Sequence, residues 1–171
     1  MENGLKTISG LFDGTKKFVV PYYQRPYAWE LDQWKDFIDD LFSHNPQRKY
    51  FYGTILLKET AKDNDVDFEV FEIVDGQQRI TTLTIFFRIL VSFLAELNPK
   101  INLNIKKQRY LVYENVHKLK VSEIDNEFFQ TYIIKEGETP VTLNTPSQRR
   151  LWDAKNYLRG RLQEGAPDEK K

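Results

Sequence analysis

One stretch, Phe68 to Leu97, limits what this chain can fold into. Phe68 to Val74 is apolar on both faces and reads as a buried strand. Through Asp75-Gly76-Gln77-Gln78-Arg79 it feeds a run with Ile80, Leu83, Phe86, Phe87, Leu90, Phe93, Leu94 and Leu97 at helical spacing. Only a narrow polar stripe of Thr81, Thr84, Arg88, Ser92 and Glu96 interrupts that run before Asn98-Pro99 ends it. A helix so apolar must be covered on several sides, so the other elements are expected to pack around it.

The remaining segments supply strands and helices in mixed order, which predicts an α/β (α+β) fold. Leu5, Ile8, Leu11 and Phe12 predict a short helix over 3–12, and Phe18 to Val20 a strand closed by Pro21. Leu31, Trp34, Phe37, Ile38, Leu41 and Phe42 share one helix face, backed by Asp32, Lys35, Asp36, Asp39 and Asp40, with Asn45-Pro46 as the stop. Tyr50 to Leu57 reads as a second buried strand with Gly53 at a close backbone approach, joined by a turn at Asp63-Asn64-Asp65 into a hairpin with Phe68 to Val74.

Beyond residue 98 we expect strands at Arg109 to Glu114 and Lys118 to Val121, then a helix capped by Ser122 and carrying Ile124, Phe128, Phe129 and Ile133. Gly137 to Thr145 reads as a loop, and Thr145-Pro146-Ser147-Gln148 starts a last helix that buries Leu151, Ala154, Leu158 and Leu162. The expected division is a core over 1–98, an extension packed on it over 99–164, and a disordered tail over 165–171.

Charge and composition narrow the function. Lys plus Arg and Asp plus Glu each number 25, so no global field draws in nucleic acid and any such contact needs a local patch. Cysteine is absent, which removes thiolate chemistry and cysteine-ligated zinc and suits a reducing cytoplasm. The only histidines, His44 and His117, are far apart. No run of about 18 apolar residues is unbroken and no secretion signal opens the chain, so a cytoplasmic protein without a membrane span is expected. Aromatic residues, at 14%, either fill a core or offer stacking surfaces.

The turn at Asp75 has two readings. Asp75 as N-cap with Gln78 as its capping-box partner would explain both residues by helix initiation alone. Gly76 exceeds what a cap needs and fits a backbone that must approach a ligand closely. Arg79 lies in the first helical turn, where the dipole disfavours a cation by about 0.3–1 kcal/mol, a penalty that a bound anion reverses. Asp75 would then hold a metal ion or orient a water, with Gln77 and Gln78 offering amides to phosphate oxygens or a base. The turn lacks the Gly-Lys-Ser/Thr ending of a P-loop.

Upstream, Tyr22-Tyr23-Gln24-Arg25-Pro26-Tyr27-Ala28-Trp29 sets four rings around a Gln-Arg pair. A proline-bounded turn can use Tyr27 and Trp29 as core, but Gln24 and Arg25 fit that use less well, and a ligand phosphate, a base or Asp75 would each give Arg25 a partner. In order and spacing, Val20 to Trp29, Tyr50 to Ile55 and Ile73 to Leu83 resemble three motifs of the N-terminal domain of GmrSD-type restriction endonucleases.

That resemblance implies a ParB/sulfiredoxin-like fold, a small mixed sheet packed around a central buried helix with added C-terminal helices. It also implies nucleoside triphosphate binding and hydrolysis coupled to restriction of modified DNA, with Mg2+ as companion ion. Carried across, Asp75, Gln78 and Arg79 would be catalytic, and Gly76, Gln77, Thr81, Thr82, Tyr23, Gln24, Arg25 and Gly53 would complete the nucleotide site, with Asp75 on the metal. DNA is implied as a partner of the full-length protein. Nothing here supplies the histidines of the His-Asn-His nuclease domain usual in such proteins, so that domain would lie elsewhere, in the same or a partner chain.

Two other functions compete. Asp36, Asp39 and Asp40 place carboxylates on one helix as a nuclease would, although a solvated helix back also explains them. Lys106-Lys107-Arg109 and Arg149-Arg150 would serve a DNA-binding or protein-interaction module without catalysis.

Overall fold

The computed structural model describes residues 4–45, 47–60, 68–135 and 137–165. The turn expected at Asp63-Asn64-Asp65, the stop at Pro46 and the tail over 166–171 lie outside these residues.

The architecture is mixed α/β, as the alternation of patterns predicts. Its centre is α3 (Gln77–Leu97), against which α6 (Pro146–Glu164), α4 (Asn104–Tyr110) and a π-helical segment (Phe129–Ile134) pack. Ile80, Leu83, Ile85 and Ile89 of α3 are buried with Phe12, Phe18, Phe129, Leu151 and Leu158 in one core. By length and hydropathy α3 alone, among the described helices, could cross a membrane. In this fold it is the covered core helix.

A four-stranded sheet lies beside it in the order β2-β3-β1-β6, from β1 (Lys16–Val19), β2 (Leu56–Glu59), β3 (Glu69–Asp75) and β6 (Leu119–Lys120). β1 runs parallel to β3, with Phe18 opposite Phe71, and parallel to β6, while β2 and β3 form the expected antiparallel pair. Residues beyond Leu97 thus add a strand to the same sheet. β4 (Val112–Tyr113) and β5 (Val116–His117) make a separate hairpin. Its two-residue turn, Glu114-Asn115, has positive φ at both positions, as a type I′ turn requires.

Besides α3, two predicted helices hold their spans. α2 (Leu31–Ser43) buries Trp34, Phe37 and Ile38, and at the start of α6 Thr145 accepts from the Gln148 amide at 3.1 Å. Other expectations are corrected. The first helix, α1, shrinks to Ile8–Phe12 because Thr7 caps it and Leu5 is exposed. Tyr50 to Ile55 is not a strand, since Gly53 takes φ +99° and the Thr54 carbonyl turns to Arg79 instead of a neighbouring strand. Arg109 and Tyr110 end α4, because the Tyr110 ring stacks on Phe87 of α3 with centroids 4.1 Å apart. Ser122 precedes α5 (Glu123–Phe128) without capping it: its hydroxyl donates to Asp125, and Ile124 faces solvent.

Lys118 is an unforeseen buried cation. Its Nζ donates to the Phe12 carbonyl at 2.5 Å and the Gly14 carbonyl at 2.7 Å, pinning the end of α1 to the sheet. Burial pushes its pKa down from 10.5 to about 8. The unfolded chain therefore holds this proton more tightly, and the Lys118 contribution to stability rises as pH climbs from about 8 to about 10.5. Urea unfolding should show wild type gaining about 1–2 kcal/mol over Lys118→Met between roughly pH 7.5 and 9.5, and a constant difference would contradict this assignment.

Candidate functional site

The turn between β3 and α3 starts from a register shift. Leu56 pairs with Asp75 but Leu57 with Ile73, so Val74 is left without a partner on β2 and its carbonyl accepts from Gln24 Nε2 at 2.8 Å. Asp75 ends the strand, and Gly76, not Asp75, is the N-cap of α3. Gly76 has φ +92°, and a Cβ there would come within 3.0 Å of Ile55 Cγ1, so glycine is required both by conformation and by packing. No side chain caps this helix end. The capping-box reading of Asp75 and Gln78 is thereby corrected.

Gln78 works across the fold instead. Its Oε1 accepts from the amides of Ala28 at 2.8 Å and Trp29 at 3.3 Å, and its Nε2 donates to the Pro26 carbonyl at 3.3 Å. Gln77 Nε2 donates to the Arg25 carbonyl at 2.9 Å. With Gln24 these three amides fasten the irregular segment 22–29 to the turn. Below them Trp34 Nε1 donates to the Tyr27 hydroxyl at 2.9 Å, which shares a 2.7 Å bond with Thr82. Burial raises the Tyr27 pKa, so its hydroxyl stays protonated in that chain.

Arg79 leans the other way. Its Nη1 donates to the Thr54 carbonyl, and a Cβ on Gly53 would lie 3.0 Å from Arg79 Nε, so Gly53 makes room for the guanidinium. One of five guanidinium donors is engaged there. Motif residues from three segments therefore converge on one turn. Asp75 and Arg25 are exposed, Arg79 is half-buried, and Tyr22 and Tyr23 stand at the surface. Gln77, Gln78, Thr81 and Thr82 are buried.

Beneath the turn a cavity of about 10 Å3 is lined by Arg25, Gln77, Thr81, Ser122 and Asp125. It has room for about one water. Asp125, fully buried, accepts from the hydroxyls of Ser122, Thr145 and Ser147 at 3.0, 3.3 and 2.8 Å. Sequence reasoning missed this carboxylate and the Thr54 carbonyl. A serine read only as a cap was the sole signal for the first, and a backbone acceptor has none.

Several of the competing residues, among them Asp39, Asp40, Arg109 and Arg150, have partners within the fold. Asp39 pairs with Arg161 at 2.6 Å, and Asp40 accepts from the Tyr50 hydroxyl. Among the described residues no three of His, Cys, Asp or Glu are grouped to hold a metal. Asp75 alone suits Mg2+ only in the manner of a metal that takes its other ligands from phosphates and water. Arg109 bonds Ser9 and lies 3.5 Å from Asp13, and Arg150 pairs with Glu30 at 2.8 Å, so the basic runs are partly neutralised.

In comparison with known families, the model of the GmrSD restriction endonuclease N-terminal domain matches residues 8–170. No curated protein matches the chain.

Gln78→Ala would strand the Ala28 and Trp29 amides and release segment 22–29. A stability loss of about 2 kcal/mol is expected, a fall in Tm of roughly 4–8 °C for a chain of this size. An unchanged Tm in thermal denaturation would remove Gln78 from this role.

Proposed function

The chain belongs to the family of GmrSD restriction endonuclease N-terminal domains, and from that membership we propose that it binds and hydrolyses a nucleoside triphosphate at the β3–α3 turn. Membership makes it part of a restriction endonuclease system. The finer reading is a regulatory domain for restriction of modified DNA in the cytoplasm, on a ParB/sulfiredoxin-like scaffold, with a His-Asn-His nuclease in the same or a partner chain.

The observation that carries this reading is the uncapped start of α3, flanked by Asp75 on one side and Arg79 on the other. Backbone N–H groups and the dipole there favour an anion, and the remaining Arg79 donors add a full charge. Asp75 would hold Mg2+ brought with the phosphates, and the ion would offset charge on the transferring phosphoryl group. Gln24, Gln77 and Gln78 hold the turn and segment 22–29 in fixed relation, leaving Tyr23 and Arg25 at the rim. Thr81 and Thr82 support the first turns from below, Thr82 through its bond to the Gln78 carbonyl.

Arg79→Ala should abolish binding of a nucleoside triphosphate with Mg2+ in isothermal titration while far-ultraviolet circular dichroism stays unchanged. Wild-type affinity in that variant would refute the site. Asp75→Asn should weaken Mg2+-dependent binding about tenfold or more, as loss of a charged ligand does. Chelation of Mg2+ should bring wild type to the same level. If affinity stays put in both cases, Asp75 holds no metal.

A further inference from the structure

Asp125 of α5 is a fully buried carboxylate, and burying one is costly unless its oxygens are hydrogen-bonded. Three hydroxyls serve it: Ser122 donates to Oδ2 at 3.0 Å, and Ser147 and Thr145 donate to Oδ1 at 2.8 and 3.3 Å. Thr145 and Ser147 begin α6, so the carboxylate also lies at the positive end of that helix dipole. These contacts explain how the group is tolerated. They do not explain why it is there, since well-packed apolar side chains join helices as firmly as buried polar ones.

Its other neighbour is the cavity of about 10 Å3 beneath the turn, which Asp125 lines together with Arg25, Gln77 and Thr81. Gln77 is the first residue of α3, and Thr81 follows one helical turn later. Because Gln77 Nε2 already donates to the Arg25 carbonyl at 2.9 Å, the end of the amide left to face another group is the acceptor Oε1. A carboxylate offers about four acceptor sites, and the hydroxyls take three. Two acceptors cannot bond each other. A water carries two donors, fits a cavity of this size and finds polar partners on its walls.

We propose that Asp125 is a positioning residue for the β3–α3 turn, holding Gln77 through one water in this cavity and, through Gln77, the Arg25 backbone. Its effect on phosphate binding rests on the nucleotide reading of that turn, whereas the hold on Gln77 does not.

The test compares Asp125→Asn, which keeps the shape but replaces one acceptor oxygen with a donor, with Ser147→Ala, which removes a hydroxyl from Asp125 outside the cavity lining. In NMR spectra of the free chain the Gln77 side-chain amide should shift in Asp125→Asn and stay in place in Ser147→Ala. Wild type itself should show a long-lived water cross-peak to the Gln77 amide protons, a readout that needs no variant to fold. In isothermal titration with ATP and GTP, each with Mg2+, affinity should fall about tenfold in Asp125→Asn and hold in Ser147→Ala, although both variants lose thermal stability. If wild type binds neither nucleotide, the reading of the turn fails while the Gln77 signals still decide on Asp125. An unmoved Gln77 amide in Asp125→Asn, no water cross-peak in wild type, or equal affinity losses in the two variants would overturn the proposal.

Discussion

The bonds from the Gln78 side chain to Pro26, Ala28 and Trp29 are the contact on which the candidate site depends. Segment 22–29 has no regular structure, so its polar backbone groups need partners from elsewhere. Gln24, Gln77 and Gln78 supply them, each bond spanning about fifty residues of sequence. A long-range amide clamp costs chain entropy, and the buried α3 behind it makes that cost bearable by giving Gln77 and Gln78 a rigid base. Rigidity is what a binding turn needs, because a preorganised site loses little freedom when ligand arrives.

Glycine and arginine in the turn answer to the same geometry. Gly76 is left-handed and pressed by Ile55, while Gly53 leaves space for the Arg79 side chain. Arg79 thus sits over the start of its own helix, where the dipole opposes its charge, and among the described residues the Thr54 carbonyl offsets that placement. The chain carries no net charge, so the attraction for an anion proposed at this turn has to be local.

Much of this was legible in the residues, for identifiable reasons. The spacing of Leu31 to Phe42 and of Ile80 to Leu97 reports burial directly, and Thr145-Pro146 reports a local cap, so α2, α3 and α6 hold their expected spans. Tertiary contacts overrode local signals elsewhere. Tyr50 to Ile55 has strand composition but surrenders the Thr54 carbonyl to Arg79, and Tyr110 is drawn into a helix by stacking on Phe87. The turn itself could be located from Gly76 and Arg79, but the part played by Gln78 could not. Its sequence position matches a capping box, whereas its partners lie about fifty residues away.

Photo-crosslinking is the most direct measurement: a nucleoside triphosphate with a photoreactive group on its γ-phosphate, irradiated on the folded chain and mapped by peptide mass spectrometry. The account predicts label on peptides containing Asp75 to Arg79, Gly53 to Ile55 or Tyr23 to Arg25, competed away by unmodified nucleotide. Competable label confined to other segments would contradict it.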